Sequence, residues 1–158
     1  MSNSTETLSE YELERGKPMP STIHSLVQGN LVYLLKANYN KTYHILPELS
    51  LDTPEKPSVP DIAIYPKFEI DWRNDTIKRN DVPLATVEIL SPTQSLDELV
   101  EKAHRYFQSG VSSCWIVLPS MKAIAVYTSA DTYNFFNETD TLLDSPLSVK
   151  LAVADVFK

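Results

Sequence analysis

Two carboxylates set in apolar strands carry the chemistry this chain could do. Glu88 lies inside "PLATVEIL", and Asp61 opens "DIAIY". A charge in a strand interior is costly to bury unless something pairs with it. Alternation along the first stretch puts Thr86, Glu88 and Leu90 on one face and Ala85, Val87 and Ile89 on the other. In the second, Asp61, Ala63 and Tyr65 share a face against Ile62 and Ile64. If the two strands pair, opposed positions lie about 5 Å apart. Two anions that close repel, so one protonates or a cation sits between them. A divalent ion that favours hard oxygen ligands, Mg²⁺ or Mn²⁺, is the natural compensation. Each carboxylate also has an ordinary reading when taken singly. Asp61 follows Pro60 and could cap a strand edge, and Glu88 could face solvent at the edge of a sheet.

Lys102 and Tyr106 come next. At 100° per residue they fall together on one edge of a helical stripe made by Leu96, Leu99, Val100, Ala103 and Phe107. A short connector from Leu90 would fold that helix back near the strand end that carries Glu88. The alternative for Lys102 is an i, i+4 pair with Glu98 on an exposed face. His24 lies on the flank of an earlier helix and faces either the site or the surface. His24, His44 and His104 have no zinc-ligand spacing, and the one cysteine, Cys114, sits in an apolar run that reads as core. Only three glycines occur, and none builds a phosphate-cradling loop. Lys67, Arg73, Lys78 and Arg79 make the most cation-rich stretch available to a phosphate backbone. They alternate with Asp71, Asp75 and Asp81, as a solvated face does. Trp72 in that stretch could stack on a base, but reads better as an anchor for its loop.

The elements that must position these residues follow from periodicity. Residues 1–10 read as a flexible tail and 11–158 as a single domain. Ser21 to about Lys36 is an amphipathic helix, with Ile23, Leu26, Val27, Leu31 and Leu34 at helical spacing and Ser21 as its N-cap. Thr42–Leu46, Leu49–Asp52 and Asp61–Tyr65 are extended. Residues 66–82 form a long loop or an exposed hairpin. Leu84–Leu90 is a strand, and Ser95-x-x-Glu98 is a capping box that starts the helix ending at Ser109–Gly110. "SSCWIVL" is a strand, a hairpin turns over Ala130–Asp131, and the chain closes with a strand running into a short helix. This order gives an α+β fold around a mixed central sheet.

Composition sets the outer bounds. The 158 residues are 42% hydrophobic and 22% charged, and 14 basic against 21 acidic residues leave a formal charge of −7. That field repels nucleic acid, so any such role needs locally clustered cations or a metal ion. No segment is long and apolar enough to span a bilayer, and the polar start lacks a secretory pattern, so the expected compartment is the cytoplasm.

The motifs together resemble the PD-(D/E)XK nuclease superfamily and, within it, the restriction-endonuclease family known as domain of unknown function 820. The resemblance runs from Tyr11 to Phe157. It comprises "YEL" at Tyr11–Leu13, Met19–Pro20, His24, "VPDIAIY", "VEILSP" and "DELVEKAHRYFQSGVSSCWIVLP", of which Val87–Pro119 is the specific part. It implies a restriction-endonuclease-like α+β fold, with helices flanking the sheet. The implied activity is Mg²⁺- or Mn²⁺-dependent hydrolysis of DNA phosphodiester bonds, and the implied catalytic residues are Asp61, Glu88 and Lys102. Asp61, Glu88 and the backbone carbonyl of Ile89 would hold the metal, with Tyr106, His24 and Glu12 in support. Two departures stand out. The motif's lysine place, two residues after the Glu, is Leu90, so Lys102 would supply the amine from the following helix. Arg15 stands where relatives carry an acid before the glycine. DNA is the expected partner, and cutting both strands would call for a homodimer. The rival reading is a non-catalytic interaction or regulatory module on the same scaffold, which the charge of −7 favours.

Overall fold

The computed structural model describes residues 10–53 and 55–158. The expected tail lies outside the described residues except for Glu10, which is not tail but the first residue of helix α1 (Glu10–Arg15). Gly16 ends α1 at φ 66°, a left-handed conformation costly for a residue with a Cβ. Ser21 caps α2 (Thr22–Tyr39), its hydroxyl accepting the His24 N–H at 3.1 Å. The buried stripe of α2 is His24, Val27, Leu31 and Leu35. Ile23 and Leu26, expected inside, are 59% and 52% exposed. Two apolar phases compete along this helix, and packing on the sheet selects the one that turns His24 inward.

The strands are β1 (Tyr43–Pro47), β2 (Ser50–Leu51), β3 (Ile62–Pro66), β4 (Lys78–Arg79) and β5 (Ala85–Ile89). After α3 (Leu96–Ser109) come β6 (Ser113–Leu118), β7 (Ala123–Ser129), β8 (Thr132–Phe136), β9 (Thr141–Asp144), β10 (Val149–Ala152) and α4 (Val153–Val156). The central sheet has six strands in the order β1-β3-β5-β6-β7-β8. Neighbours are antiparallel except β5 and β6, which are parallel across the α3 crossover. The fold is therefore α+β with a mixed central sheet and helices on both faces.

The two sheet faces bury separate cores. Val27, Leu31 and Leu35 of α2 pack on Ile62, Ile64, Val87, Ile89, Trp115 and Val117, with the β9–β10 hairpin and α4 completing that layer. Leu99, Ala103 and Tyr106 of α3 pack on Ala63, Tyr65, Cys114, Ile116 and Leu118. Ser95 caps α3, accepting the Glu98 N–H at 3.2 Å, and Gly110 ends it at φ 109°. Leu96, expected in the stripe, is 46% exposed, and Tyr106 lies inside rather than on the edge. The stripe is centred on Leu99–Ala103–Tyr106 because the hydroxyl of Tyr106 finds a buried acceptor.

Segment 66–82 is a loop rather than a hairpin; its two-residue strand β4 pairs in parallel with β2. Trp72 does not anchor it, being 88% exposed. Arg79 does, stacked 4.1 Å over Phe68 and 4.9 Å over Tyr65 while its guanidinium holds Asp81 at 2.6 and 2.7 Å. Strand β9, not anticipated, carries Asp144. This fully buried carboxylate accepts from the Trp115 indole at 2.7 Å, the Ser113 hydroxyl at 2.6 Å and the Leu147 amide at 3.1 Å.

Candidate active site

The site forms where β3 begins and β5 ends. The pairing Ile62↔Val87 and Ala63↔Thr86, continued by one position, sets Asp61 opposite Glu88. Their neighbours two residues along, Ala63 and Thr86, lie on the sheet face covered by α3. Both carboxylates are buried, Asp61 at 1% and Glu88 at 4% exposure.

Each carboxylate has its own lysine. Glu88 Oε1 accepts from Lys102 Nζ at 3.2 Å and from the Tyr106 hydroxyl at 2.9 Å. The two donors are one helical turn apart on α3, so a single oxygen gathers both. Lys102 thus pairs with Glu88 rather than with Glu98. Asp61 Oδ1 accepts from Lys17 Nζ and from His24 Nε2, the latter at 3.1 Å. Asp61 Oδ2 accepts the Ile89 amide at 2.7 Å. N–H and C=O of one strand residue project from the same edge, so the Ile89 carbonyl also faces this end of β3.

A third carboxylate, Glu48, closes the far side. Its oxygens accept from Lys17 Nζ at 3.0 and 3.2 Å, from Arg15 at 3.0 Å and from Gln28 at 3.0 Å. Glu48 has φ 57°, a left-handed backbone that costs a non-glycine residue about 1–2 kcal/mol. Arg15 also binds its carbonyl at 2.7 Å, and its amide donates to the Asp61 carbonyl at 3.2 Å. Glu12 lies on α1, its carbonyl accepting the Gly16 amide at 2.8 Å. From this entry segment it is a cation, Lys17, that reaches Asp61. Sequence reasoning missed Lys17, Glu48 and Gln28. The one available signal was charge balance: two buried carboxylates ask for two cations, and Lys102 answers for only one.

Electrostatics push the pair apart. Burial raises Asp61, but the His24 hydrogen bond and the Lys17 ammonium overcome it and hold its carboxyl below the ordinary value. Burial drives Glu88 upward, Asp61 adds to the rise, and Lys102 only partly offsets it. Burial lowers Lys17, yet Asp61, Glu88 and Glu48 outweigh it and raise its affinity for the proton. Asp61 is the settled anion, and Glu88 is the carboxylate nearer to accepting a proton. Tyr106, buried against Glu88, is held well above the usual phenol value and serves as a donor.

Among the described residues, no three His, Cys, Asp or Glu side chains are grouped so as to hold a metal. Two carboxylates and a strand-edge carbonyl nevertheless make a hard-oxygen donor set suited to Mg²⁺, which commonly takes one or two carboxylates and keeps several waters. The residues fit such an ion on one condition, because Lys17 already engages Asp61 Oδ1.

Beside this cluster, sharing Arg15 and Lys102 with it, lies a cleft of about 280 Å³. Arg15, Lys56, Lys102 and Arg105 line it together with Glu98 and Glu101. Arg15, Lys102 and Arg105 are themselves paired, with Glu48, Glu88 and Glu101, as Arg79 of segment 66–82 is with Asp81.

The chain matches the model of the Uma2 family, described as "Putative restriction endonuclease", over residues 5–154. In fold it is similar to the crystal structure of a putative nuclease belonging to DUF820 from Anabaena variabilis. The TM-score is 0.78 and the identity 21%, over 89% of this chain and 83% of that one. No curated protein matches the chain. No helix among the described residues is long and apolar enough to cross a membrane.

Proposed function

This chain belongs to the Uma2 family of putative restriction endonucleases, and we propose that it is a metal-dependent endonuclease hydrolysing DNA phosphodiester bonds at Asp61, Glu88 and Lys102. The observation that carries this reading is the convergence of two buried carboxylates and a helix-borne lysine at one strand end. Asp61, Glu88 and the Ile89 carbonyl would hold Mg²⁺ or Mn²⁺. The ion, when bound, would lower the pKa of a coordinated water and offset charge on phosphorus.

This chain's own residues do the rest. Lys102, 3.2 Å from Glu88 Oε1, would orient the attacking water and steady the charge that develops on the phosphate oxygens. Tyr106 fixes the rotamer of Glu88 through its 2.9 Å hydrogen bond, so that the carboxylate is preorganised. His24 and the Ile89 amide do the same for Asp61. The cations of the adjoining cleft give the phosphate backbone a local approach on a chain whose net charge repels it. Cutting both strands of a duplex in one event favours two such sites, which a homodimer would supply.

One observation favours the rival, a non-catalytic module: both oxygens of Asp61 are satisfied by protein donors without a metal. Incubating supercoiled plasmid with the protein and Mg²⁺ or Mn²⁺ at low salt separates the two. Nicking or linearisation by the wild type, abolished by Glu88→Gln, supports the nuclease. No cleavage with either ion on duplex or single-stranded DNA would leave the module.

A further inference from the structure

Lys17 is the feature the nuclease reading does not use. Its side chain is 5% exposed and its ammonium sits between two carboxylates, bonded to Asp61 Oδ1 on one side and to both oxygens of Glu48 on the other. Counted together, the centre is already neutral: Asp61, Glu88 and Glu48 against Lys17, Lys102 and Arg15. A divalent ion entering this arrangement would meet a buried ammonium on one of its own ligands, and two cations sharing one carboxylate oxygen repel strongly at low dielectric.

We propose that Lys17 is a resident counter-cation that must release Asp61 before a divalent ion can bind, and that Glu48 retains the ammonium when it does. The proposal rests on the metal-site reading above. The geometry of Glu48 supports the second half. Its carboxylate is fixed by Arg15 and Gln28 and already shares the ammonium, so a short swing of Nζ leaves Lys17 paired. The release exchanges one of two existing ion pairs for the metal and strands no buried charge. Glu48 keeps a left-handed backbone at this spot, held by hydrogen bonds to its carbonyl and from its amide. Lys17 in this role is a positioning residue acting on Asp61.

Mn²⁺ binding to the full chain without DNA, read by calorimetry, tests this. Lys17→Met keeps the length and removes the charge, and should tighten Mn²⁺ binding by about tenfold or more. Glu48→Gln leaves Asp61 as the ammonium's one strong partner and should weaken Mn²⁺ binding. The double variant should match Lys17→Met, because Glu48 acts through Lys17. If Glu48→Gln weakens binding equally with and without Lys17, Glu48 acts by its own field and the retention half falls. If the wild type binds Mn²⁺ and Lys17→Met binds it no better, the proposal is overturned while the nuclease reading stands. If neither binds Mn²⁺, the metal-site reading fails and takes the proposal with it. Circular dichroism shows whether each variant is folded, and Lys17→Gln, which can still donate to Asp61, replaces Lys17→Met where that variant is not.

Discussion

Asp61→Asn separates two accounts of the metal-free site by sign. A carboxylate pair considered alone gains from the substitution, because one of two confined like charges disappears. The structure reverses that expectation. Asp61 is paired with the buried ammonium of Lys17, hydrogen-bonded by His24 at 3.1 Å and by the Ile89 amide at 2.7 Å. Removing one member of a buried ion pair costs about 3–5 kcal/mol, since the other is left buried. Lys17 keeps Glu48 at 3.0 and 3.2 Å, which places the loss at the lower end, about 3 kcal/mol. For a domain of this size each kcal/mol moves the melting temperature by about 2–4 °C, so Tm should fall by about 6–12 °C at pH 7 without metal. The pH dependence has a definite sign. The folded pKa of Asp61 is depressed, so its contribution is present above the unfolded value and is lost as pH falls through the folded value. Wild type and variant should therefore differ fully at neutral pH and converge in strong acid. Thermal melts in EDTA from pH 8 down to pH 3 should show the full gap at neutral pH and its narrowing toward the acid end. A variant that melts at or above the wild type at pH 7 would refute the compensation by Lys17.

Glu88→Gln should behave in the opposite way. Burial raises the folded pKa of Glu88, so its contribution is present below the unfolded value and lost as pH rises through the folded one. Metal-free melts should find the variant equal to the wild type near pH 4 and at or above it near pH 8. Lys102→Ala should lower the cleavage rate about 10²- to 10⁴-fold while calorimetry still detects Mn²⁺, because the lysine acts on the water rather than on the ion. Asp144→Ala should destabilise by about 3 kcal/mol in denaturant titrations, since each buried donor left unpaired costs about 1–3 kcal/mol. The donors are the Trp115 indole, the Ser113 hydroxyl and the Leu147 amide, and the cleavage rate per folded molecule should hold.

The frame was legible where local signals agreed. Ser21 and Ser95 announced the two main helices by capping chemistry, and Gly110 announced the end of α3. Alternation could bring Asp61 and Glu88 together only if their strands paired, and the β3–β5 register meets that condition by setting them opposite one another. The phase of the helices was less legible. Ile23 and Leu26 satisfy the helical period as well as His24 and Val27 do, and only the sheet decides which set is buried. Lys17 and Glu48 were illegible for a different reason. Each stands in an irregular stretch with no period, and they meet across 31 residues of chain. Trp72 shows the limit of residue type as a guide, since its size suggested an anchor and Arg79 stacked on Phe68 holds the loop instead. Strand β9 is too short for its alternation to stand out, so the buried Asp144 it carries passed unseen.

The central claim is that Asp61 and Glu88 together hold a divalent ion. Anomalous diffraction from a crystal of the full chain soaked in Mn²⁺ tests it most directly. The account predicts one strong peak bridging the two carboxylates beside the Ile89 carbonyl, with Lys17 drawn off Asp61 onto Glu48 and Lys102 still close to Glu88. A peak confined to surface carboxylates, with Lys17 still bound to Asp61 at saturating Mn²⁺, would contradict it.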